Sequence, residues 1–425
     1  MPVLRPLLAL ALLAAGAVTG VTGPAGPAGA QEAAGGALGL PTDVTRVAGT
    51  DPGAPTTLPA GWSRTELPGS AGSRYFSYTR AVAGSGVLVT AAGPGADATS
   101  AEAFRIEITT TDGTTCSSQS ASRSEGDLGL VVATTTAGDV DPETETETDA
   151  SCREAESLRI TLSRSSSVET ATDSDVWFRV VEEAPVDDVS DLPPAEERAS
   201  VGPVDVGGEA QDEQGGTDVS TAPLVDTGIW RGTVPADGQT AYRVRLDFGQ
   251  TLYAEAVSPA VDAELAADLG YDTRLRAEVL SPQLSSATTS SSGDNLGTDP
   301  ASARAAAGPV QYLNRYEVSP APSRPGEFVV VVSLDAGEDV DLDEVPYTLR
   351  LRVDGDAAAA PAYASTPPFV IAEGERADGI ELGVPGAEDE AGRSVVRTVA
   401  GAGLVAGGLA ALLAGVVLLR RQTSR

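Results

Sequence analysis

The sequence predicts an all-β exported chain: two tandem β-sandwiches behind a signal peptide, followed by one transmembrane helix. Three observations carry this. Short segments alternate apolar and polar residues, as in Phe104, Ile106, Ile108 or Tyr347, Leu349, Leu351, which is the period of half-buried strands. A set of such segments occurs twice in one order. A long uncharged run stands near each end of the chain.

Residues 1–30 read as the signal peptide. Arg5 gives a positive start, residues 7–21 are almost wholly small and apolar, Pro24 interrupts them, and Ala28-Gly29-Ala30 offers a cleavage site before Gln31. Residues 31–57 read as a flexible segment. The first sandwich is expected over 58–183, from Trp62 through SRYFSYTRAV, SGVLVTAA, FRIEITT and SLRITLS to VWFRVVEE. Cys116 and Cys152 lie within it, and in an oxidising compartment they are expected to form a disulfide. That bond would close an acidic loop whose alternating Thr and Glu hold too little apolar surface to fold alone.

Residues 184–222, rich in Pro, Gly, Asp and Glu, read as a linker. The second sandwich is expected over 223–355. Trp62 to Ile160 and Trp230 to Val330 are intervals of 98 and 100 residues, and Ile160 to Trp177 and Val330 to Tyr347 are both 17. Within the second unit, FVVVVS over 328–333 reads as a central strand covered on both faces. Residues 356–397 read as a stalk with one short strand at 369–371. Residues 398–419 contain no charge and, at about 1.5 Å per residue, are long enough for a hydrocarbon core of about 30 Å. Arg420, Arg421 and Arg425 follow, which places the tail 420–425 in the cytoplasm and the bulk outside the cell membrane.

Composition removes whole classes of chemistry. The chain has no His and its 28 basic residues are all Arg, so serine triads, His-ligated zinc and lysine Schiff bases are excluded within it. Two Cys are too few for a structural zinc site. Between the terminal segments stand 61 acidic residues and 24 of the Arg, a net charge of −37. Such a surface repels nucleic acid and favours cations or basic partners. Abundant Ala, Gly and Arg without Lys point to a GC-rich genome, as in actinobacteria.

The second unit resembles the bacterial pre-peptidase C-terminal domain. The likeness rests on GTVPADGQTAYRVRLDFGQTLYAEAV, PGEFVVVVSL and YTLRLRV, with Tyr242, Gly249 to Leu252, Gly326 to Val330 and Tyr347 to Leu349 at the characteristic places. In the first unit Gly86-Val-Leu-Val89 replaces the Gly-Gln-Thr-Leu turn, and Trp177 stands where Tyr347 does. The resemblance implies jelly-roll-like β-sandwiches and a non-catalytic module that accompanies secreted enzymes. No peptidase region accompanies it here.

Two acidic motifs are candidate sites. Asp226-Thr-Gly is how an aspartic protease presents a carboxylate, but such an enzyme needs two, and the chain has no second Asp-Thr-Gly. Aligning Trp230 with Trp62 puts Leu58 opposite Asp226, so the motif reads as the start of a strand. Asp339, Asp341 and Asp343 place three carboxylates on one side of an extended segment, a set that suits Ca²⁺; the preferred reading is a solvated acidic hairpin. No other cofactor is expected. The reading is a non-enzymatic binding or scaffolding protein of the cell envelope, its partners the membrane and another envelope protein or cell-wall component. Its alternatives are a carboxylate-dependent extracellular hydrolase and a purely structural stalk.

Overall fold

The structure, a computed structural model, describes residues 39–382 except 70–71, 95–103, 122–129, 142–143, 165–172, 187, 197–198, 270–272, 317–321, 336–341 and 373–381. The expected signal peptide and transmembrane segment lie outside the described residues. Within the described residues no helix is long and apolar enough to cross a membrane.

The fold is all-β and sandwich-like. The first half contains β1 (Thr45–Arg46), β2 (Thr56–Thr57), β3 (Gly61–Leu67), β4 (Ser73–Thr79), β5 (Gly86–Pro94), β6 (Phe104–Thr110), β7 (Thr115–Ala121), β8 (Leu130–Ala137), β9 (Ser157–Ser163) and β10 (Ser174–Glu183). The second contains β11 (Gln211–Asp212), β12 (Gly228–Pro235), β13 (Asp237–Leu246), β14 (Thr251–Ser258), β15 (Arg274–Leu280), β16 (Ser290–Gly293), β17 (Ala301–Ala307), β18 (Gly326–Asp335) and β19 (Glu344–Asp354). A last strand, β20 (Phe369–Val370), returns to the first half and pairs with β10.

In the first half the order β1-β3-β10-β5-β8 faces the order β2-β4-β9-β6-β7 across a core that includes Phe76, Ile106, Ile160 and Phe178. In the second half β11-β12-β19-β14-β17-β16 faces β13-β18-β15 across Tyr242, Leu252, Val330 and Leu349. The order β3-β10-β5-β8 thus recurs as β12-β19-β14-β17, and β4-β9-β6 as β13-β18-β15. The halves part at one strand, because β7 extends its sheet beyond β6 whereas β16 joins the opposite sheet beside β17.

Spacing alone locates the repeat correctly in one sheet and misplaces it in the other. Ile160 pairs with Phe76 as Val330 pairs with Tyr242, all four inside the cores. Trp177, however, faces away from its core while Tyr347 faces into its own. A slip of one residue reverses every side chain of a strand, so the alignment of Trp230 with Trp62 is corrected. On β3 the inward residues are Ser63, Thr65 and Leu67, which turns Trp62 outward.

The outward residues of the two inner sheets bury one another. Trp62, Ala92 and Trp177 of the first half meet Ala241, Val329 and Val331 of the second, with Leu40, Val219, Ala222 and Leu284 around them. Strand β18 is accordingly apolar on both faces: Phe328, Val330 and Val332 enter its own core and Val329 and Val331 the joint. The four sheets form a continuous stack. Arg179 crosses the joint, donating from Nη1 to the Pro282 carbonyl at 2.6 Å with its guanidinium 5.8 Å from the Trp62 ring centroid.

The segment expected as a linker is a strap around the second half. Val189 and Leu192 pack on its core, the Val204 amide donates to Glu255 at 3.1 Å, β11 pairs in parallel with β12, and Val219 and Ala222 enter the joint. The Arg243 guanidinium holds the strap's end through the Ala222 carbonyl at 2.8 Å and is itself paired with Glu327 at 3.0 Å. Part of the expected stalk is also packed. Ala358 donates to the Phe248 carbonyl, Ala364 to that of Pro185, and Leu382 is fully buried against Gly326.

The acidic loop carries a helix, Glu147–Glu154, opened by a capping box between Thr146 and Asp149. Cys152 on this helix is bonded to Cys116 on β7, with Cα atoms 5.5 Å apart. Arg80 fixes the helix to the sheet, donating to the carbonyls of Cys152 at 2.8 Å, Ser85 at 3.0 Å and Ala155. Replacing both cysteines by Ser is expected to cost about 4 kcal/mol, because the 36-residue separation sets the loop entropy released in the unfolded chain. Chemical denaturation of the two forms measures it; a difference under about 1 kcal/mol would contradict that account.

Candidate functional site

The two acidic motifs singled out in the sequence do not form a site. Asp226 is exposed two residues before β12, and its carbonyl accepts the Trp230 indole N–H at 3.3 Å. No choice of register supplies a second acid, since Thr57, Leu58 and Pro59 occupy the corresponding stretch of the first half. Asp226→Asn is expected to leave the melting temperature and any activity unchanged; loss of a hydrolytic activity in this variant would restore the protease reading. Asp339 and Asp341 lie outside the described residues. Asp343 is exposed, and its carbonyl accepts the Ala236 amide at 3.0 Å. Among the described residues no group of three or more Cys, Asp or Glu is placed to hold a metal ion.

Among the described residues, a buried group of four paired charges lies elsewhere, where the two halves meet. Strand alternation sends consecutive acids of β10 in opposite directions. Glu182 turns inward and accepts from Tyr78 Oη at 2.7 Å, the amides of Ala81 at 2.9 Å and Val82 at 2.6 Å, and Ser85 Oγ at 2.7 Å. Glu183 turns outward into the joint. There Arg324 Nε donates to Glu183 Oε2 at 2.6 Å and its Nη2 to Asp139 Oδ2 at 2.6 Å. Arg315 donates to Glu183 Oε1 at 2.9 Å and to Asp139 Oδ1 at 3.1 Å, and its guanidinium lies 3.6 Å from the Tyr312 ring centroid. Tyr363, from the returning C-terminal segment, donates to Glu183 Oε1 at 3.0 Å.

Two acids of the first half, two arginines of the second and one tyrosine from beyond it therefore share one buried knot. Burial opposes ionisation of Asp139 and Glu183, but the Arg315 and Arg324 guanidiniums hold both carboxyls below the ordinary carboxylate range. A hydrolase working through two carboxyls needs one of them raised so that it carries a proton at neutral pH. This pair is depressed on both sides and saturated with donors. Its chemistry is that of a clasp.

Sequence reasoning passed over these residues, because Asp139 sits in an acidic loop and Arg315 and Arg324 in stretches without strand periodicity. The partners are 132 to 185 positions apart along the chain. One signal was present: Arg315 follows Tyr312 by three residues in YLNRY, and the 3₁₀ turn Tyr312–Tyr316 stacks that ring on the guanidinium.

No known family model matches the chain, and no curated protein matches it. Among solved structures, the human MASP-1/3 CUB1-EGF-CUB2 domain aligns with 12% identity over 68% of this chain and 99% of that one, at a TM-score of 0.17. The rat MASP-1 CUB1-EGF-CUB2 domains align with 11% identity over 69% and 99%, at 0.16. Tandem CBM51 modules of a family 98 glycoside hydrolase from Streptococcus pneumoniae align with 10% identity over 67% and 83%, at 0.17. At such scores the arrangements do not superpose, and no function is drawn from them.

Proposed function

We propose that this chain is an exported envelope protein, held by one C-terminal membrane span, whose two jelly-roll-like sandwiches act together as a non-enzymatic binding or scaffolding unit. The observation that carries the reading is the clasp. The buried carboxylates that link the halves are consumed in arginine pairs, so they hold two sandwiches in a fixed relation and are not free for acid–base chemistry. The sequence adds the address: a cleavable leader before Gln31, an uncharged run over 398–419 and arginines after it. The strap and the returning segment support the same reading, because both tie the halves together.

Two measurements on cells producing the full-length chain test this. Protease added to intact cells degrades the bulk and spares the anchor and tail, and the solubilised protein cosediments with purified envelope without releasing soluble products from it. Protection of the bulk would refute the topology. Envelope breakdown that persists in purified protein would refute the non-enzymatic role.

A further inference from the structure

Of residues 373–397 the structure describes Leu382, and this residue is fully buried. Its pocket is built from three parts of the chain. Leu88 of β5 and Val181 of β10 lie opposite each other and face away from the first core, and Phe369 of β20 and Ile371 join them around Leu382. Gly326 and Pro282 of the second half lie beside the Leu382 backbone. The pocket therefore stands in the joint, two residues along β10 from Glu183 of the clasp.

Leu382 is held there in the way a bound peptide is held, by one side chain and one backbone group. The pairing of β15 with β18 ends at Leu280 and Val329. Past that point the Leu382 carbonyl takes the place of a neighbouring strand and accepts the Glu327 amide at 2.9 Å. Gly326 makes the approach possible, since a Cβ at that position would stand 2.6 Å from the Leu382 carbonyl oxygen and 3.0 Å from its Cβ. A ligand that replaced Leu382 would have to supply an aliphatic side chain to Leu88 and Val181 and an acceptor to the Glu327 amide. An extended peptide with a leucine supplies both.

We propose that this pocket is a docking site for an extended, leucine-bearing peptide, and that the chain's own Leu382 fills it as a latch. Because the occupant belongs to the same chain, it acts at a high effective concentration, so even a site of weak intrinsic affinity stays full and is closed to other peptides. Filled, the pocket fastens the chain that leads to the uncharged run 398–419 against residues of both halves. Release of Leu382 frees that chain and bares the pocket in one step. The inference goes beyond the role proposed above and is measurable without a membrane or an envelope.

The test is fluorescence anisotropy of a labelled peptide of residues 377–386, ADGIELGVPG, with the full-length chain in neutral detergent. The variant Leu382→Asp vacates the pocket and is expected to bind the peptide at least about tenfold more tightly than the wild type, whose own segment competes. The same peptide carrying Leu382→Asp is expected to bind that variant at least about tenfold more weakly, because it loses the burial of one leucine side chain. Leu382→Ala serves as the receptor if the aspartate variant does not fold. The proposal is overturned if neither vacated variant binds the peptide, if the wild type binds it as tightly as they do, or if the two peptides bind alike. Each of these results would leave Leu382 as an ordinary part of the core. None of them bears on the envelope reading, which the protease and cosedimentation experiments test separately.

Discussion

Glu183→Gln is expected to destabilise the protein by about 3–5 kcal/mol, the range found when one partner of a buried ion pair is removed. The reason is arithmetic of charge. Arg315 and Arg324 are balanced in the wild type by Glu183 and Asp139, and the amide leaves one guanidinium charge without a counterion in a largely buried site. Combining it with Arg324→Gln removes the surplus charge, so part of the loss is expected to return in the double variant. Urea unfolding of the three variants measures this. Independent, additive losses would show that the four groups do not act as one knot.

The same knot sets an acid limit. Asp139 and Glu183 have folded-state pKa values below those of the unfolded chain, so their contribution is fully present above about pH 4. It is lost as the pH falls through the depressed values. Acid unfolding of the wild type is therefore expected below pH 4, and Glu183→Gln has less stability left to lose there.

Trp177→Ala is expected to cost about 3–5 kcal/mol, the usual loss for a buried Trp. The ring is 1% exposed, its N–H donates to the Pro41 carbonyl at 2.8 Å, and its neighbours come from both halves. Trp230→Ala is expected to cost clearly less, because that ring only partly covers its core and its N–H meets an exposed carbonyl. Thermal or urea melts of the two variants compare them; equal losses would contradict the difference in burial between the two rings.

The strands are readable from the sequence because period-two alternation is a local property, and the depth of β18 because five consecutive apolar residues, Phe328 to Val332, can only be buried on both sides. The Cys116–Cys152 bond was expected from the presence of two thiols in a chain read as exported. The helix Glu147–Glu154 did announce itself through Thr146 and Asp149, three residues apart, but the surrounding Thr-Glu alternation obscured it. What an outward Trp62, Ala92 or Val331 packs against is not a local property. Each looks like ordinary core material until the sheets are in place. The clasp was hidden for the same reason: its acids and arginines become neighbours only after both halves have folded and met.

Differential scanning calorimetry of residues 31–393 tests most directly whether the two sandwiches form one unit. A shared apolar joint, the Asp139–Glu183–Arg315–Arg324 clasp and the strap predict a single transition whose calorimetric and van't Hoff enthalpies agree. Two separate transitions, with Trp177→Ala shifting only one of them, would contradict the account.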